Sequence, residues 1–250
     1  GPYNDSIQFM GISGNDTIFG STKDDTMRLG IGNNTVSALY GDDEIHLQSW
    51  GNKLDAGPGF DTLFVQLTSL ETILVDLDNN SMSQRTQSLN LNNRLQNFEK
   101  LDMTGSVANI DFLSTAGLKT LQLGAGNDRV SINQHLDFVD SGLGSDTIIL
   151  GSSYSQKEVK INLEEGSISF QNPGNEEVRI SGFENVESNV NVRVYLVGDA
   201  NDNILVAGTG ADNLYGAGGN DILVGGSNSD VFIFTEESVS AGMDRILDFQ

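Results

Sequence analysis

The chain has 250 residues, of which 29 are Gly, 3 are Pro and none is Cys. Its 35 Asp and Glu outnumber 13 Lys and Arg, so the formal net charge is -22 at pH 7. This charge disfavours binding to nucleic acid and to anionic membranes, and the lack of Cys excludes disulfides and thiolate metal sites.

From Gly11 to Phe64 the sequence repeats every nine residues without insertion, beginning "GISGNDTIF" and "GSTKDDTMR". Each unit has a Gly-rich turn, an Asp or Asn at position six and an apolar residue at position eight. Gly permits the positive φ angles of a tight turn, and alternation along the following strand points position eight inward. The predicted fold is all-β, a right-handed parallel β-roll with two units per coil and irregular inserted loops. Its inward residues in this block are Ile18, Met27, Val36, Ile45, Leu54 and Leu63.

The period returns twice further along the chain. Three units run from Leu123 to Ile149, and a third block starts with "VGDANDNIL" at Val197 and gains one residue at Val206. Each unit again combines an acid or amide at position six with an apolar position eight. Repetition at a short fixed period is typical of a solenoid, so the same roll is expected in all three blocks.

Spacing is irregular between the blocks, but apolar alternation predicts strands at 73–77, 159–163 and 178–180. Residues 79–100 are instead predicted to form a loop or a helix. The expected organisation is a first repeat block at 1–64, an irregular β-solenoid extension with a long loop at 65–116, a second block at 117–150, a linking β segment at 151–196, and a third block with a C-terminal cap at 197–250.

One inward residue in nine buries little apolar surface, whereas ordering the backbone costs about 1–2 kcal/mol per residue. Stacked coils also bring the carboxylates at position six together, and these repel unless a cation neutralises them. Ca²⁺ takes six to eight oxygen ligands from carboxylates and carbonyls, whereas Mg²⁺ demands a tight octahedron. Zinc prefers nitrogen and sulfur ligands. The pattern therefore predicts calcium as the cofactor.

The units "GGSNSDVFI", "AGTGADNLY", "GAGGNDILV" and "LGAGNDRVS" resemble the G-G-x-G-x-D-x-U-x nonapeptide of the RTX, or hemolysin-type calcium-binding, family. Residues 180–203 and, more weakly, "LQNFEKLDMTGS" are similar to segments that lead into repeat blocks of long RTX surface proteins. The resemblance implies a β-roll that holds calcium between turns in a large adhesin, surface-layer protein or toxin exported by type I secretion. Departures from the pattern are Lys23, Trp50 and Leu136 in a Gly position and Asn34 and Asn52 in the acid position.

The predicted calcium ligands are the turn glycines and acids that match the motif. They are Gly14, Asp16, Asp24, Asp25, Gly41, Asp42, Asp43, Gly57, Gly59, Asp61, Gly124, Gly126, Asp128, Gly142, Gly144, Asp146, Gly198, Asp202, Gly208, Gly210, Asp212, Gly219, Asp221, Gly225 and Asp230.

With two units per coil, one edge of the first block carries Asp25, Asp43 and Asp61, and the other carries Asp16, Asn34 and Asn52. Calcium affinity rises with the number of charged ligands, so tighter binding is expected along the Asp edge. Weak or empty sites are expected beside the two Asn residues. By the same spacing Asp128 is paired with Asp146, and Asp212 with Asp230.

The predicted function is a calcium-binding structural or adhesive β-roll of a secreted or cell-surface protein, which folds on calcium outside the cell. The alternative is the repeat domain of a secreted RTX toxin or of an RTX-tailed exoenzyme. No catalytic residue is predicted, since the chain has only His46 and His135 and lacks H-E-x-x-H and G-x-S-x-G. The expected partners are calcium ions and a cell-surface or matrix component, without nucleic acid or membrane insertion by this segment.

Overall fold

The computed structural model describes residues 5–11, 13–67, 71–85, 90–151, 158–171, 176–235 and 242–249. Contacts divide the chain into two compact units, 1–128 and 129–250. Within the described ranges every regular element is a β-strand, and no helix is long and apolar enough to cross a membrane.

The first unit contains the strands β1 (Gln8–Met10), β2 (Thr17–Phe19), β3 (Thr26–Arg28), β4 (Thr35–Ser37), β5 (Glu44–Leu47), β6 (Lys53–Asp55), β7 (Thr62–Val65), β8 (Ile73–Asp76), β9 (Ser81–Arg85), β10 (Asn90–Gln96), β11 (Lys100–Asp102), β12 (Ile110–Ser114) and β13 (Thr120–Gln122). They form two sheets with the orders β1-β3-β5-β7-β11-β13 and β2-β4-β6-β10-β9-β8-β12.

The second unit contains β14 (Arg129–Ser131), β15 (Phe138–Asp140), β16 (Thr147–Leu150), β17 (Glu158–Asn162), β18 (Ser167–Phe170), β19 (Glu176–Ser181), β20 (Asn185–Ser188), β21 (Arg193–Val197), β22 (Ile204–Val206), β23 (Asn213–Tyr215), β24 (Ile222–Val224), β25 (Val231–Phe232) and β26 (Arg245–Ile246). Its sheets have the orders β15-β19-β18-β17-β21-β23-β25 and β14-β16-β20-β22-β24-β26.

Within the nonapeptide blocks successive strands alternate between the two sheets, so each sheet takes every second repeat. In the parallel pairing, Met27 of β3 lies opposite Ile45 of β5, and Ile45 lies opposite Leu63 of β7. In the other sheet Ile18 lies opposite Val36. One coil therefore contains two nonapeptides, as the sequence predicts.

The core of the first unit is a stack of the position-eight side chains. All six predicted inward residues are buried, with exposed fractions between 0% and 6%. Burying an aliphatic side chain of this size contributes about 1.5–3 kcal/mol. The nine-residue period thus places one apolar contact per repeat in a continuous column: Ile18, Met27, Val36, Ile45, Leu54 and Leu63.

The predicted loop or helix at 79–100 is wrong in the described part of that segment. Strands β9 and β10 pair antiparallel there, and β10 also pairs in parallel with β6. The physical reason is a two-residue alternation that turns Met82, Gln84, Asn93 and Leu95 into the interior, each at most 6% exposed. The hairpin therefore extends the second sheet without ending the roll.

The strands predicted at 73–77, 159–163 and 178–180 are confirmed within about one residue at each end by β8 and β17 and inside the longer β19. β17, β18 and β19 pair antiparallel, and β17 then pairs in parallel with β21. The second unit thus accommodates an inserted hairpin in the same way as the first.

The extra residue predicted at Val206 is wrong. Ile204 lies opposite Ile222 and Leu205 opposite Leu223, so this repeat runs from Gly198 to Val206 with nine residues. Leu205 is fully buried, so it occupies the inward position eight of the repeat. The residue at position six is consequently Asn203, and Asp202 occupies position five.

Candidate calcium-binding edges

The residues Asp25, Asp43 and Asp61 form what we call the Asp ladder, along one edge of the first unit. Each carboxylate reaches back one coil: Oδ1 of Asp43 accepts the backbone N–H of Asp25 at 2.8 Å, and Oδ1 of Asp61 accepts that of Asp43 at 2.8 Å. All three residues are at most 1% exposed. The predicted Asp edge is therefore assembled, with its acids buried inside the stacked turns.

The second carboxylate oxygens of Asp43 and Asp61 are buried and have no hydrogen-bond partner. Burial raises the pKa of Asp61 to about 7, and the charges of Asp43, Glu99 and Asp42 add to this effect, whereas a hydrogen bond from Asp43 opposes it. A buried carboxylate with an oxygen left unpaired is costly unless a cation accompanies it. These two atoms are thus placed where a metal ion would satisfy them.

Burial likewise raises the pKa of Asp43 to about 6. The hydrogen bond from the N–H of Asp25 opposes this rise, and the charges of Asp25, Asp24 and Asp42 add to it. Neighbouring negative charges disfavour the ionised form of a carboxyl group. Asp43 and Asp61 are therefore acids that resist carrying their charge without a counter-ion.

Asp25, at the start of the ladder, differs from the other two rungs. Its Oδ1 accepts the N–H of Ile7 at 2.6 Å and the hydroxyl of Ser21 at 2.9 Å, and its Oδ2 accepts the N–H of Ser21 at 2.6 Å. Both oxygens are thus satisfied by the chain itself. The demand for a cation is consequently strongest at Asp43 and Asp61.

The predicted ligands at position five lie outside the ladder. Asp24, Asp42 and Asp202 are exposed, and each Oδ1 accepts a backbone N–H of the following coil, from Asp42, Phe60 and Asn220 respectively, at 2.7–2.9 Å. They tie neighbouring turns together at the surface. Their contribution to calcium binding stays a prediction.

The opposite edge of the first unit carries what we call the Asn ladder, formed by Asn34, Asn52 and Asn93. Oδ1 of Asn52 accepts the N–H of Asn34, and Oδ1 of Asn93 accepts that of Asn52, both at 2.9 Å. The N–H of half-buried Asp16 donates to Oδ1 of Asn34 at 3.0 Å. The backbone geometry matches the Asp ladder, but the side chains are amides.

The amide nitrogens of Asn34 and Asn52 donate to backbone carbonyl oxygens of their own turns. Nδ2 of Asn34 donates to the carbonyl oxygen of Gly30 at 3.3 Å, and Nδ2 of Asn52 donates to that of Ser49 at 2.8 Å. An amide supplies donors as well as an acceptor, whereas a carboxylate only accepts. This arrangement supports the prediction of weak or empty sites beside Asn34 and Asn52.

In the second unit the predicted pair Asp212 and Asp230 is brought together, because the N–H of Asp212 donates to Oδ1 of Asp230 at 3.0 Å. Burial raises the pKa of Asp212, and the charge of Asp230 adds to this rise. Oδ1 of Asp212 accepts the N–H of Val194 at 2.8 Å. This edge repeats the geometry of the Asp ladder.

Asp221 has the same environment on the other edge of the second unit. It is 1% exposed, and its Oδ2 has no hydrogen-bond partner. Burial raises its pKa to about 6, to which the charges of Asp244 and Asp202 add, against a hydrogen bond from Asn203. Asp221 is therefore a second place where a cation is required.

Asp128 and Asp146 are both buried. Oδ1 of Asp128 accepts the N–H of Ile110 at 2.7 Å in the first unit, and the N–H of Asp146 donates to Glu184 at 2.7 Å in the second. The predicted pairing of Asp128 with Asp146 joins residues of different units and stays a prediction.

The predicted glycine ligands all lie outside strands. A Cβ added to Gly59 would collide with the carbonyl oxygen of Gly41, and one added to Gly198 with that of Gly216. At these two positions the stacked turns are so close that only Gly fits, and the carbonyl oxygens of Gly41 and Gly216 lie at the edges as further oxygen donors. The glycines are Gly14, Gly41, Gly57, Gly59, Gly124, Gly126, Gly142, Gly144, Gly198, Gly208, Gly210, Gly219 and Gly225.

Among the residues at position six that the sequence analysis missed are Glu99, Glu184, Asn203 and Asp244. Glu99 and Glu184 follow insertions. Glu99 accepts the N–H of Asp61 and Glu184 accepts that of Asp146, in each case from 38 residues earlier. Asp244 accepts the N–H of Asp221 at 3.1 Å. The available signal was an acid two residues before a buried apolar residue, as in Glu99 with Leu101.

The donors along these edges fit calcium by chemistry. They are carboxylate and carbonyl oxygens, the ligands that Ca²⁺ prefers. Among the described residues, no group of three His, Cys, Asp or Glu side chains is placed to hold a metal. Backbone carbonyl oxygens of the stacked turns lie along the same edges as the carboxylates, and Ca²⁺ accepts both kinds of ligand.

A profile of the RTX calcium-binding nonapeptide repeat matches four copies, within residues 10–46, 120–148 and 197–232. The chain carries RTX repeats. RTX nonapeptide repeats bind calcium, they are structural and not catalytic, and they occur in type I-secreted extracellular proteins. A search of curated proteins finds no significant match. The RTX repeats account for the parallel roll, the Gly-rich turns and the acids at position six.

The two histidines have structural surroundings. The ring of His46 in β5 stacks on Phe64 with centroids 4.6 Å apart, and its Nδ1 lies 3.3 Å from a guanidinium nitrogen of Arg28. Burial, followed by the charge of Arg28, lowers the pKa of His46. The backbone N–H of His135 donates to Asn133 in a turn.

Proposed function

We propose that the chain is a calcium-dependent β-roll with a structural or adhesive role in a type I-secreted extracellular or cell-surface protein. The observation that carries the proposal is the Asp ladder, in which Asp43 and Asp61 are buried and each keeps one oxygen without a partner. Such atoms require a cation, and the RTX repeats identify calcium as the ion.

Calcium binding is expected to drive folding. Without calcium the charge of -22 and the buried acids oppose the compact state. A ligand that binds only the native state stabilises it by about 2.7 kcal/mol at a concentration one hundred times its Kd. A chain of this kind stays unfolded in the low-calcium cytoplasm, which suits export, and folds outside the cell.

A non-catalytic role agrees with the geometry around the histidines. His46 is held between Phe64 and Arg28, and the RTX repeats themselves have a structural role. Asp43 and Asp61, whose pKa values are raised towards neutrality, accept backbone N–H groups of the stacked turns. We therefore propose that any catalytic activity of the parent protein would reside outside these repeats.

The alternative is a repeat domain of a secreted RTX toxin or of an RTX-tailed exoenzyme. The full-length sequence separates these roles: tandem β-sandwich modules favour an adhesin, whereas an apolar pore-forming region favours a toxin. A catalytic motif next to the repeats favours an exoenzyme.

The proposal is tested by circular dichroism of the chain during a calcium titration that starts in EGTA. We expect a weak β-signal in EGTA, a cooperative gain of β-signal at millimolar calcium, and little response to the same concentration of Mg²⁺. A full β-signal in excess EGTA would contradict the proposal.

A further inference from the structure

Glu99 takes the place of an Asp in the coil that follows Asp61. Lys100 and Leu101 of β11 lie opposite Thr62 and Leu63 of β7, so the residue that precedes Lys100 stands at position six. Its Oε2 accepts the N–H of Asp61 at 2.9 Å. The same hydrogen bond joins Asp61 to Asp43, although 38 residues separate Glu99 from Asp61 and only 18 separate the two Asp residues.

A second, independent observation at this place points to a cation. Asp61 is 0% exposed, and its Oδ2 is buried without a hydrogen-bond partner. The side chain of Asp61 lies between the carboxylates of Asp43 and Glu99, both of which act on it electrostatically. Three neighbouring acids with a buried, unpaired oxygen are stable only with compensating positive charge.

In the second unit Glu184 makes the same backbone contact as Glu99. The N–H of Asp146 donates to Oε2 of Glu184 at 2.7 Å, again across 38 residues. A pocket of about 240 Å³ opens beside Glu184 and is also lined by Asp199. The phenylalanines that precede the two glutamates, Phe98 and Phe183, are 6% and 5% exposed. Each buried ring thus anchors the backbone next to its glutamate.

We infer that Glu99 and Glu184 are calcium ligands that continue the carboxylate edges at the two coils where an insertion displaces the next Asp. The inference rests on the proposed calcium-dependent fold. Glutamate offers the same oxygen donors as aspartate, and its longer side chain reaches back to the preceding turn. In the first unit the edge ends one coil later, because the next residue at position six is Lys119, whose N–H donates to the carbonyl oxygen of Glu99 at 2.7 Å.

The test compares Glu99→Gln and Glu184→Gln with the parent chain, and Glu44→Gln serves as the control because Glu44 is exposed on β5. Glutamine keeps an oxygen that accepts the N–H of Asp61, so Glu99→Gln removes the charge and retains the hydrogen bond. Native mass spectrometry counts the bound calcium ions, and circular dichroism gives the calcium midpoint of folding.

Each Glu→Gln variant is expected to bind one calcium ion fewer than the parent, or to bind it at least about tenfold more weakly. Glu44→Gln should match the parent. Parental stoichiometry and midpoint in both variants would overturn the inference. So would a variant that is less folded at every calcium concentration with an unchanged midpoint, since that marks a purely structural role. A parent chain that does not respond to calcium refutes the proposed function instead.

Discussion

Oδ1 of Asn52 accepts two hydrogen bonds from Asn34, one from its backbone N–H and one from its Nδ2, both at 2.9 Å. Both donors belong to Asn34, and the side-chain oxygen of Asn52 accepts both. The rung contains no charge and needs no counter-ion. On the other edge of the same unit, Asp61 offers Asp43 only acceptors and keeps one oxygen unpaired. In the first unit, Asp43 and Asp61 therefore leave carboxylate oxygens for a cation, whereas Asn34 and Asn52 are paired through their amide groups.

Asn52→Ala should lower stability without changing calcium binding. The substitution removes the acceptor for Asn34 and the donor to the carbonyl oxygen of Ser49, and unsatisfied buried groups cost about 1–3 kcal/mol. Urea unfolding in saturating calcium measures the loss. The exposed Asn79→Ala is the control. Loss of a bound calcium ion on Asn52→Ala would contradict a metal-free edge.

Asp43→Asn should raise the calcium concentration needed for folding by about tenfold or more, far more than Asn52→Ala does, because it removes a charged ligand. Its oxygen can still accept the N–H of Asp25, so the ladder hydrogen bond is retained. Asp78→Asn is the matched control, since Asp78 is exposed in a turn outside the repeat blocks. Calcium midpoints from circular dichroism decide; equal midpoints for Asp43→Asn and Asn52→Ala would refute the difference between the edges.

The nine-residue period was enough to predict the roll, because Ile45 and Leu63 lie two repeats apart at the same position and so point inward from neighbouring strands of one sheet. It was also enough to place Asp43 and Asp61 on one edge and Asn34 and Asn52 on the other. Where repeats follow one another without insertion, the number of residues between them determines which residues stack, so the sequence alone is sufficient to predict the edges.

Residues that follow an insertion could not be placed by spacing. Glu99 and Glu184 each lie 38 residues after their ladder partner, and only strand pairing across the inserted hairpins restores the register. The frame at Asn203 was misjudged for a related reason: Asp202 and Asn203 both suit a turn, and burial of Leu205 decides between them. The strands within 79–100 were not predicted, because one of the inward residues, Gln84, is polar and interrupts the apolar alternation.

Gly57→Ala should impair folding even in saturating calcium. Gly57 has φ of 98°, a region that L-residues rarely adopt, and a Cβ there would collide with the carbonyl oxygen of Leu39. Backbone strain at this φ costs about 1–3 kcal/mol. The added Cβ also has to displace the preceding turn, which lowers the stability further. Thermal unfolding in calcium measures it. Gly117→Ala is a useful control, because Gly117 also has positive φ but no atom lies within 4 Å of the added Cβ. Equal melting temperatures for the two variants would show that the close contact is unimportant.

Without calcium, the fold should become more stable as the pH falls from 8 to 5. In the native state burial raises the pKa of Asp43 and Asp221 to about 6 and of Asp61 to about 7, whereas an unfolded Asp titrates near 3.9. The native chain therefore binds protons more tightly than the unfolded chain. The resulting stabilisation is fully present below the unfolded pKa and is lost as the pH rises through the folded values. Protons then substitute for calcium by neutralising the buried acids.

The folded fraction in EGTA, followed by circular dichroism between pH 8 and 5, measures this effect. Asp61→Asn should flatten the profile, since it removes the acid with the highest of these pKa values, and Asp78→Asn, in an exposed turn outside the repeat blocks, should leave it unchanged. In saturating calcium the trend should reverse, because protons and calcium compete for the same carboxylates. A metal-free folded fraction that decreases from pH 8 to pH 5 would show that the buried acids are charged in the native state, and the Asp ladder would then have no need of calcium to neutralise it.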